Sequence, residues 1–168
     1  MAEIAVRILC ETWSDALSDP EAVAALAADA ALAADPAEID GQNEISIVFA
    51  DADFVRQLNR DYRGKDRPTN VLAFSNVTGV RQTPCLLGDV VLAYELVRDE
   101  AELQGKQISD HASHLIVHGM LHLLGFDHDT DQKAEKMEAA EIAILSSLGV
   151  PDPYAPLEAQ LSAAPDHG

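Results

Sequence analysis

Four histidines stand on one stretch of the chain, His111, His114, His118 and His122, and a fifth, His128, follows six residues after the last of them. At 100° per residue the first four fall within about 80° of one another on a helix, as one polar seam. The positions between them, Leu115, Ile116, Val117, Met120, Leu121, Leu123 and Leu124, are apolar nearly all round, so the helix is expected to be buried. Each imidazole of such a seam has two nitrogens that need partners. The ordinary outcome is a set of core histidines bonded to neighbouring side chains; the chemical outcome is a metal site. Two pairs, His114 with His118 and His118 with His122, have the one-turn spacing that lets both rings converge on one point. His128 separates them. Gly125 permits a left-handed exit from the helix, and a chain folding back there returns a ligand to the point reached by His118 and His122. Three nitrogens around zinc leave a fourth position for water, the pattern of a catalytic site. Three imidazoles accept nickel as well. His114 then supports the ligands or packs in the core, His111 is the exposed end of the seam, and His167 has no role.

The spacing of HGMLHLLGFDH (118–128) matches the zinc-peptidase pattern HExxHxxGxxH at every position but one. A peptidase carries glutamate directly after the first histidine, as general base. Here that position is Gly119, which can neither take a proton from water nor hand one to a leaving amine. The metal cradle is present without the peptidase base.

The surroundings narrow the chemistry further. The 168 residues carry a net charge of −18, which argues against indiscriminate binding to nucleic acid or anionic membrane. One segment reverses the sign. Residues 56–81 hold six basic side chains (Arg56, Arg60, Arg63, Lys65, Arg67, Arg81) against two acidic ones (Asp61, Asp66). An arginine in such an island suits phosphate, because its planar fork meets two oxygens at once; its ordinary role is a surface ion pair. No apolar run is long enough to span a membrane. The N-terminus, with acid early and no basic region before an apolar one, does not read as a signal peptide. Cys10 and Cys85 lie outside any CxxC pair and fit two reduced, buried thiols.

The elements that must position these residues are readable in outline. Strands are expected over 4–9, 44–50, 70–75 and 89–95. A helix opens at Ser18–Glu21 with a capping residue and a first-turn proline and runs to about Ala34. A short helix capped by Asp51 or Asp53 carries Phe54 and Leu58 at i, i+4 spacing. GKDRPT (64–69) is a loop that follows Arg63, which is placed in exposed loop. A helix runs from the fourth strand to Gly105, another from Ser109 or Asp110 to Leu124, and an amphipathic one over 131–148. Together they predict one α+β domain over 1–154, a mixed sheet of about four strands packed against helices with a buried metal-bearing helix. The tail 155–168 is expected to be disordered.

HGMLHLLGFDH resembles the signature of the YbeY family, bacterial zinc-dependent endoribonucleases of ribosomal RNA maturation. The likeness extends to LNRDYRGKDRPTNVLAF (58–74), to LLGDVVLA (86–93) and to GVPDPY (149–154), and so covers most of residues 44–154. Ala73-Phe74-Ser75 departs from it, since the family has Ser-Phe-Pro there, so a serine hydroxyl at 73 is not essential in this chain. The resemblance implies His118, His122 and His128 as ligands of one zinc ion. It implies Arg63 and His118 as catalytic residues. It further implies cleavage of single-stranded RNA in small-subunit ribosomal RNA processing and ribosome quality control, in the cytoplasm, with the small ribosomal subunit and its assembly factors as partners and with no membrane or DNA. Asn70, Asp89, Asp127 and Asp129 are polar residues near the motifs; Asp127 orients a histidine or turns the chain. Two rival readings are a zinc peptidase, opposed by Gly119, and an assembly factor with a structural zinc, which would need a fourth protein ligand such as Asp129 or His114.

Overall fold

The computed structural model describes residues 3–34, 44–75, 86–126 and 128–154. Strands β1 (Glu3–Ile8), β2 (Glu44–Ala50), β3 (Val71–Ser75) and β4 (Leu86–Ala93) form one mixed sheet in the order β1-β2-β4-β3. The first three neighbours run parallel, and β3 pairs antiparallel to β4, with Ala73 opposite Val90 and Phe74 opposite Asp89. The strand β2 reads EISIVFA, an almost continuous apolar run, because both of its faces are covered. Ile45, Ile47 and Phe49 enter the larger core with Val90 and Leu92 of β4. Val48 and Ala50 enter a smaller core with Leu72, Val91 and Ala93.

Helices α2 (Pro20–Ala34), α4 (Tyr94–Gln104), α5 (Ile108–Leu123) and α6 (Asp131–Ser147) supply most of the rest of the larger core, with α3 (Ala52–Arg63) on the opposite sheet face. Asp19 caps α2 by accepting from the Ala22 amide at 3.1 Å, and Asp51, rather than Asp53, caps α3 through the Phe54 amide at 2.9 Å. Thr130 caps α6 in the same way. A short helix not anticipated from the pattern, α1 (Thr12–Ala16), exists to bury Trp13. Its indole N–H donates to the Ala50 carbonyl at 2.8 Å and its rings pack against Phe49 and Tyr94. The strand expected over 89–95 is shifted toward the N-terminus, since Tyr94 already begins α4, and α5 starts at Ile108 with no side-chain cap. Arg63 is the last residue of α3 rather than part of the loop; the chain turns only at Gly64, whose φ of 69° ends the helix left-handed. Cys10 is a free thiol, while Cys85, Asp127, His167 and the tail from 155 lie outside the described residues.

Candidate metal centre

The helix α5 crosses the sheet closely enough to set the site's depth. Nine of its residues are buried, among them Gly119. A Cβ at Gly119 would lie 2.8 Å from one methyl of Val90 on β4, a distance that real side chains do not sustain. The missing side chain is therefore what lets this turn of α5 rest on the sheet. It also means that a glutamate here, where a peptidase keeps its base, would be driven into β4.

His118 and His122 project from the same side of α5 into a cavity of about 690 Å³. The helix ends at Leu123, and Gly125, at φ 101°, reverses the chain. His128 then returns to the cavity, with its ring 5.1 Å from that of His122 and 6.0 Å from that of His118. Each of the three offers a ring nitrogen, and these atoms lie within 4.8 Å of one another. The Nε2 atoms of His118 and His122 are 3.2 Å apart. Two nitrogens at zinc-binding distance on a tetrahedral ion are separated by about 3.3 Å, so the cluster fits a metal ion with little rearrangement. The three histidines can hold a metal ion as they stand.

Behind the three histidines lies a carboxylate that periodicity did not reveal. Glu141 of α6 is wholly buried. The His118 Nδ1–H donates to one of its oxygens; the Tyr154 hydroxyl and, at 3.3 Å, His114 Nε2 donate to the other. Burial alone pushes the Glu141 carboxyl up, but the hydrogen bonds from His114, His118 and Tyr154 outweigh it and hold it down at about 2. The ionised Glu141 fixes the tautomer of His118, leaving Nε2 as the lone-pair nitrogen toward the cavity. Burial, and then the bond that Tyr154 donates to Glu141, push the Tyr154 hydroxyl well above the usual phenol range. The signal was present in the sequence. Glu141 sits on the stripe of α6 that otherwise carries Met137, Ile144 and Leu145, all buried, and a carboxylate on an apolar face needs a partner.

His114 thus contacts the acid that supports His118 and is not one of the three clustered nitrogens. His111 is buried rather than the exposed end of the seam: its Nε2 lies 2.7 Å from Glu100 of α4, which also accepts from the Asn70 side chain at 3.0 Å. Burial lowers its pKa, against the pull of Glu100. Asp129 is exposed and pairs with Lys133 at 3.5 Å, so among the described residues neither it nor His114 completes a fourth protein ligand. Asp89 is not at the site. It lines a groove on the α3 face with Arg7 and Ser46, where burial raises its pKa.

Arg63 reaches the same cavity as the histidines from the far side. Its Nη2 donates to the Ala73 carbonyl on the edge strand β3 at 2.9 Å, and its guanidinium lies 5.4 Å from the centre of the Phe74 ring. Those two contacts aim an otherwise exposed side chain. Residue 73 takes part through its backbone carbonyl, which any residue there supplies. The cavity is therefore walled by four imidazoles on α5 and its return, three of them clustered, by the Thr69–Ala73 strand edge, and by one guanidinium. That combination can bind a metal ion and an anionic oxygen centre side by side.

The chain is similar to known proteins. A family model described as Endoribonuclease YbeY matches residues 8–149. A Paramagnetospirillum magneticum protein named Endoribonuclease YbeY is 51% identical over 157 residues, covering 90% of this chain and 95% of its own. Proteins of the same name from Rhodopseudomonas palustris and Methylocella silvestris are 47% and 43% identical, over 89% and 90% of this chain and 80% and 85% of theirs. The solution structure of a Thermotoga maritima protein superposes with a TM-score of 0.51 over 91% of this chain and 99% of that one; at 19% identity it speaks for the fold alone.

Proposed function

The chain belongs to the YbeY family of endoribonucleases, and on that premise we propose that it is a zinc-dependent hydrolase that cuts single-stranded RNA during maturation of small-subunit ribosomal RNA. The observation that carries this reading is the meeting of His118, His122 and His128 with Arg63 across one cavity. In it His118, His122 and His128 hold the metal, with Glu141 locking the His118 ring. When bound, zinc lowers the pKa of a water or polarises a phosphate oxygen. Arg63 neutralises charge that grows on the phosphate in the transition state. Arg63 keeps its Ala73 anchor while it does so, through the remaining donors of its five-donor fork. The nucleophile is either water or the 2′-hydroxyl, and the products tell them apart: a 5′-phosphate for water, a 2′,3′-cyclic phosphate for the sugar.

Three imidazoles take nickel as readily as zinc in principle, and availability in the cell decides. Among the described residues no helix is long and apolar enough to cross a membrane. The reading places the protein in the cytoplasm, on a ribosomal particle whose proteins dock the acidic surface. Neither rival reading gains from the geometry. Position 119 holds glycine, with Val90 crowding any side chain there, and no fourth protein ligand closes the histidine cluster among the described residues.

The test is metal analysis of the purified protein beside an RNA cleavage assay. Wild type should carry about one zinc per chain and cut single-stranded RNA. His122→Ala should lose most of the metal, while His114→Ala retains it; the reverse result would assign the wrong pair. Metal-loaded wild type that leaves RNA intact but cleaves casein in a chelator-sensitive manner would replace the nuclease reading with the peptidase one.

A further inference from the structure

Next to the histidine cavity lies a second one, of about 470 Å³: Arg63 and Thr69–Leu72 line both. Its other side carries Lys65 and Arg67. The basic stretch divides into two kinds of residue. Arg56 pairs with Asp66 at 2.8 Å and Arg60 with Asp61 at 3.2 Å. Arg63, Lys65 and Arg67 make no ion pair with a carboxylate among the described residues. In a chain of net charge −18, three cations without a carboxylate partner among the described residues thus line one cavity.

The loop that bears them is held in place. Asn59 is buried at the end of α3; its amide donates to the Arg67 carbonyl at 2.9 Å, and its own carbonyl accepts from the Lys65 amide at 3.2 Å. The Arg67 amide closes onto the Lys65 carbonyl at 2.9 Å. Lys65 and Arg67 are thus presented from a backbone already ordered, which removes part of the entropy cost of binding. Glu100, the acid in the lining, is engaged by Asn70 and His111.

We propose that this second cavity is a subsite for the neighbouring nucleotide of the same RNA strand, with Lys65 and Arg67 holding the phosphodiester next to the one at the histidines. The inference rests on the ribonuclease reading. A single strand crossing the Thr69–Leu72 edge meets Arg63 first and the Lys65–Arg67 pair next, so one continuous chain of phosphates serves both cavities. The subsite explains how so acidic a protein keeps hold of RNA: it concentrates its unpaired positive charge along a short path.

The test uses the metal-loaded protein and two double variants that remove equal charge, Lys65→Ala with Arg67→Ala, and Arg98→Ala with Lys136→Ala as the control. Affinity for a 2′-O-methyl single-stranded oligonucleotide is measured by fluorescence anisotropy across a salt series, and cleavage of the unmodified strand gives kcat and KM. The first pair should weaken binding about tenfold or more and reduce the log–log salt slope by about 1.4, since each phosphate contact on a single strand contributes about 0.7. KM should rise with it, with kcat within about twofold and metal content unchanged. The control pair should change little. A loss no larger than that of the control, or an unchanged salt slope, overturns the subsite. If wild type binds as expected and the first pair does not, yet no RNA is cut, the subsite stands and the nuclease reading falls.

Discussion

His118 on α5 and Glu141 on α6 are joined by a hydrogen bond from the imidazole Nδ1–H to a wholly buried carboxylate, which leaves Nε2 facing the other two histidines. A metal ligand oriented by a second residue is tuned through that residue. Glu141→Gln keeps the shape but removes the charge, and should weaken metal affinity about 10- to 100-fold in a chelator competition. Glu141→Ala should in addition cost about 1–3 kcal/mol of stability, because His114, His118 and Tyr154 all lose their acceptor. Equal metal affinity in wild type and Glu141→Gln would show that the ring needs no such support.

Arg63 differs from the histidines in what it does for the fold. It is exposed, and its contacts are one carbonyl and one ring face. Arg63→Ala should lower the cleavage rate about 100-fold or more, as loss of a preorganised group at a charged transition state does. It should leave metal content unchanged and cost under about 1 kcal/mol in thermal unfolding. His118→Ala should lose metal and stability together, because metal bound only by the native state stabilises it. A melting temperature for Arg63→Ala as low as that of His118→Ala would make Arg63 a structural partner instead.

Gly119 is held to glycine by Val90. Gly119→Ala should destabilise by about 1–3 kcal/mol through overpacking against a β-branched side chain that cannot easily turn away. The pair Gly119→Ala with Val90→Ala should recover part of the clash in a double-mutant cycle. Additive losses would place the strain elsewhere.

Asp89 offers a check on the far face of the sheet. Burial raises its pKa, against the opposing pull of Arg7 and Ser46. A raised carboxyl pKa means that the folded state prefers the neutral form, so ionisation at neutral pH costs stability and acid restores it. Asp89→Asn should therefore raise the melting temperature at pH 7 by a few degrees at most, and the gain should vanish as wild-type Asp89 takes up its proton on acidification. A gain that persists in acid, or a loss at pH 7, would show that the Arg7 attraction dominates.

The clustering of three histidines was legible in the chain because it depends on short-range geometry. The one-turn spacing of His118 and His122 and the left-handed reversal at Gly125 are set by backbone sterics within eleven residues, and they bring the His128 ring to 5.1 Å from that of His122. The four strands and the long helices were legible for the same reason, as periods of two and 3.6. Other features were not local. The exposed end assigned to His111 is buried, with its Nε2 against Glu100 of α4, which Asn70 in turn engages. Glu141 was an anomaly on an apolar stripe until α6 packed on α5 and gave it three donors. Gly119 read only as a missing base until β4 passed beneath it. Likewise, Arg63 and Lys65 looked like neighbours in one basic run, and only the turn at Gly64 and the Ala73 carbonyl separate the residue that lines the histidine cavity from Lys65 and Arg67, which line the second one. Periodicity tells which face of an element is apolar. Which faces meet is decided by packing between elements far apart in the chain, and the environment of each buried charge is decided with it.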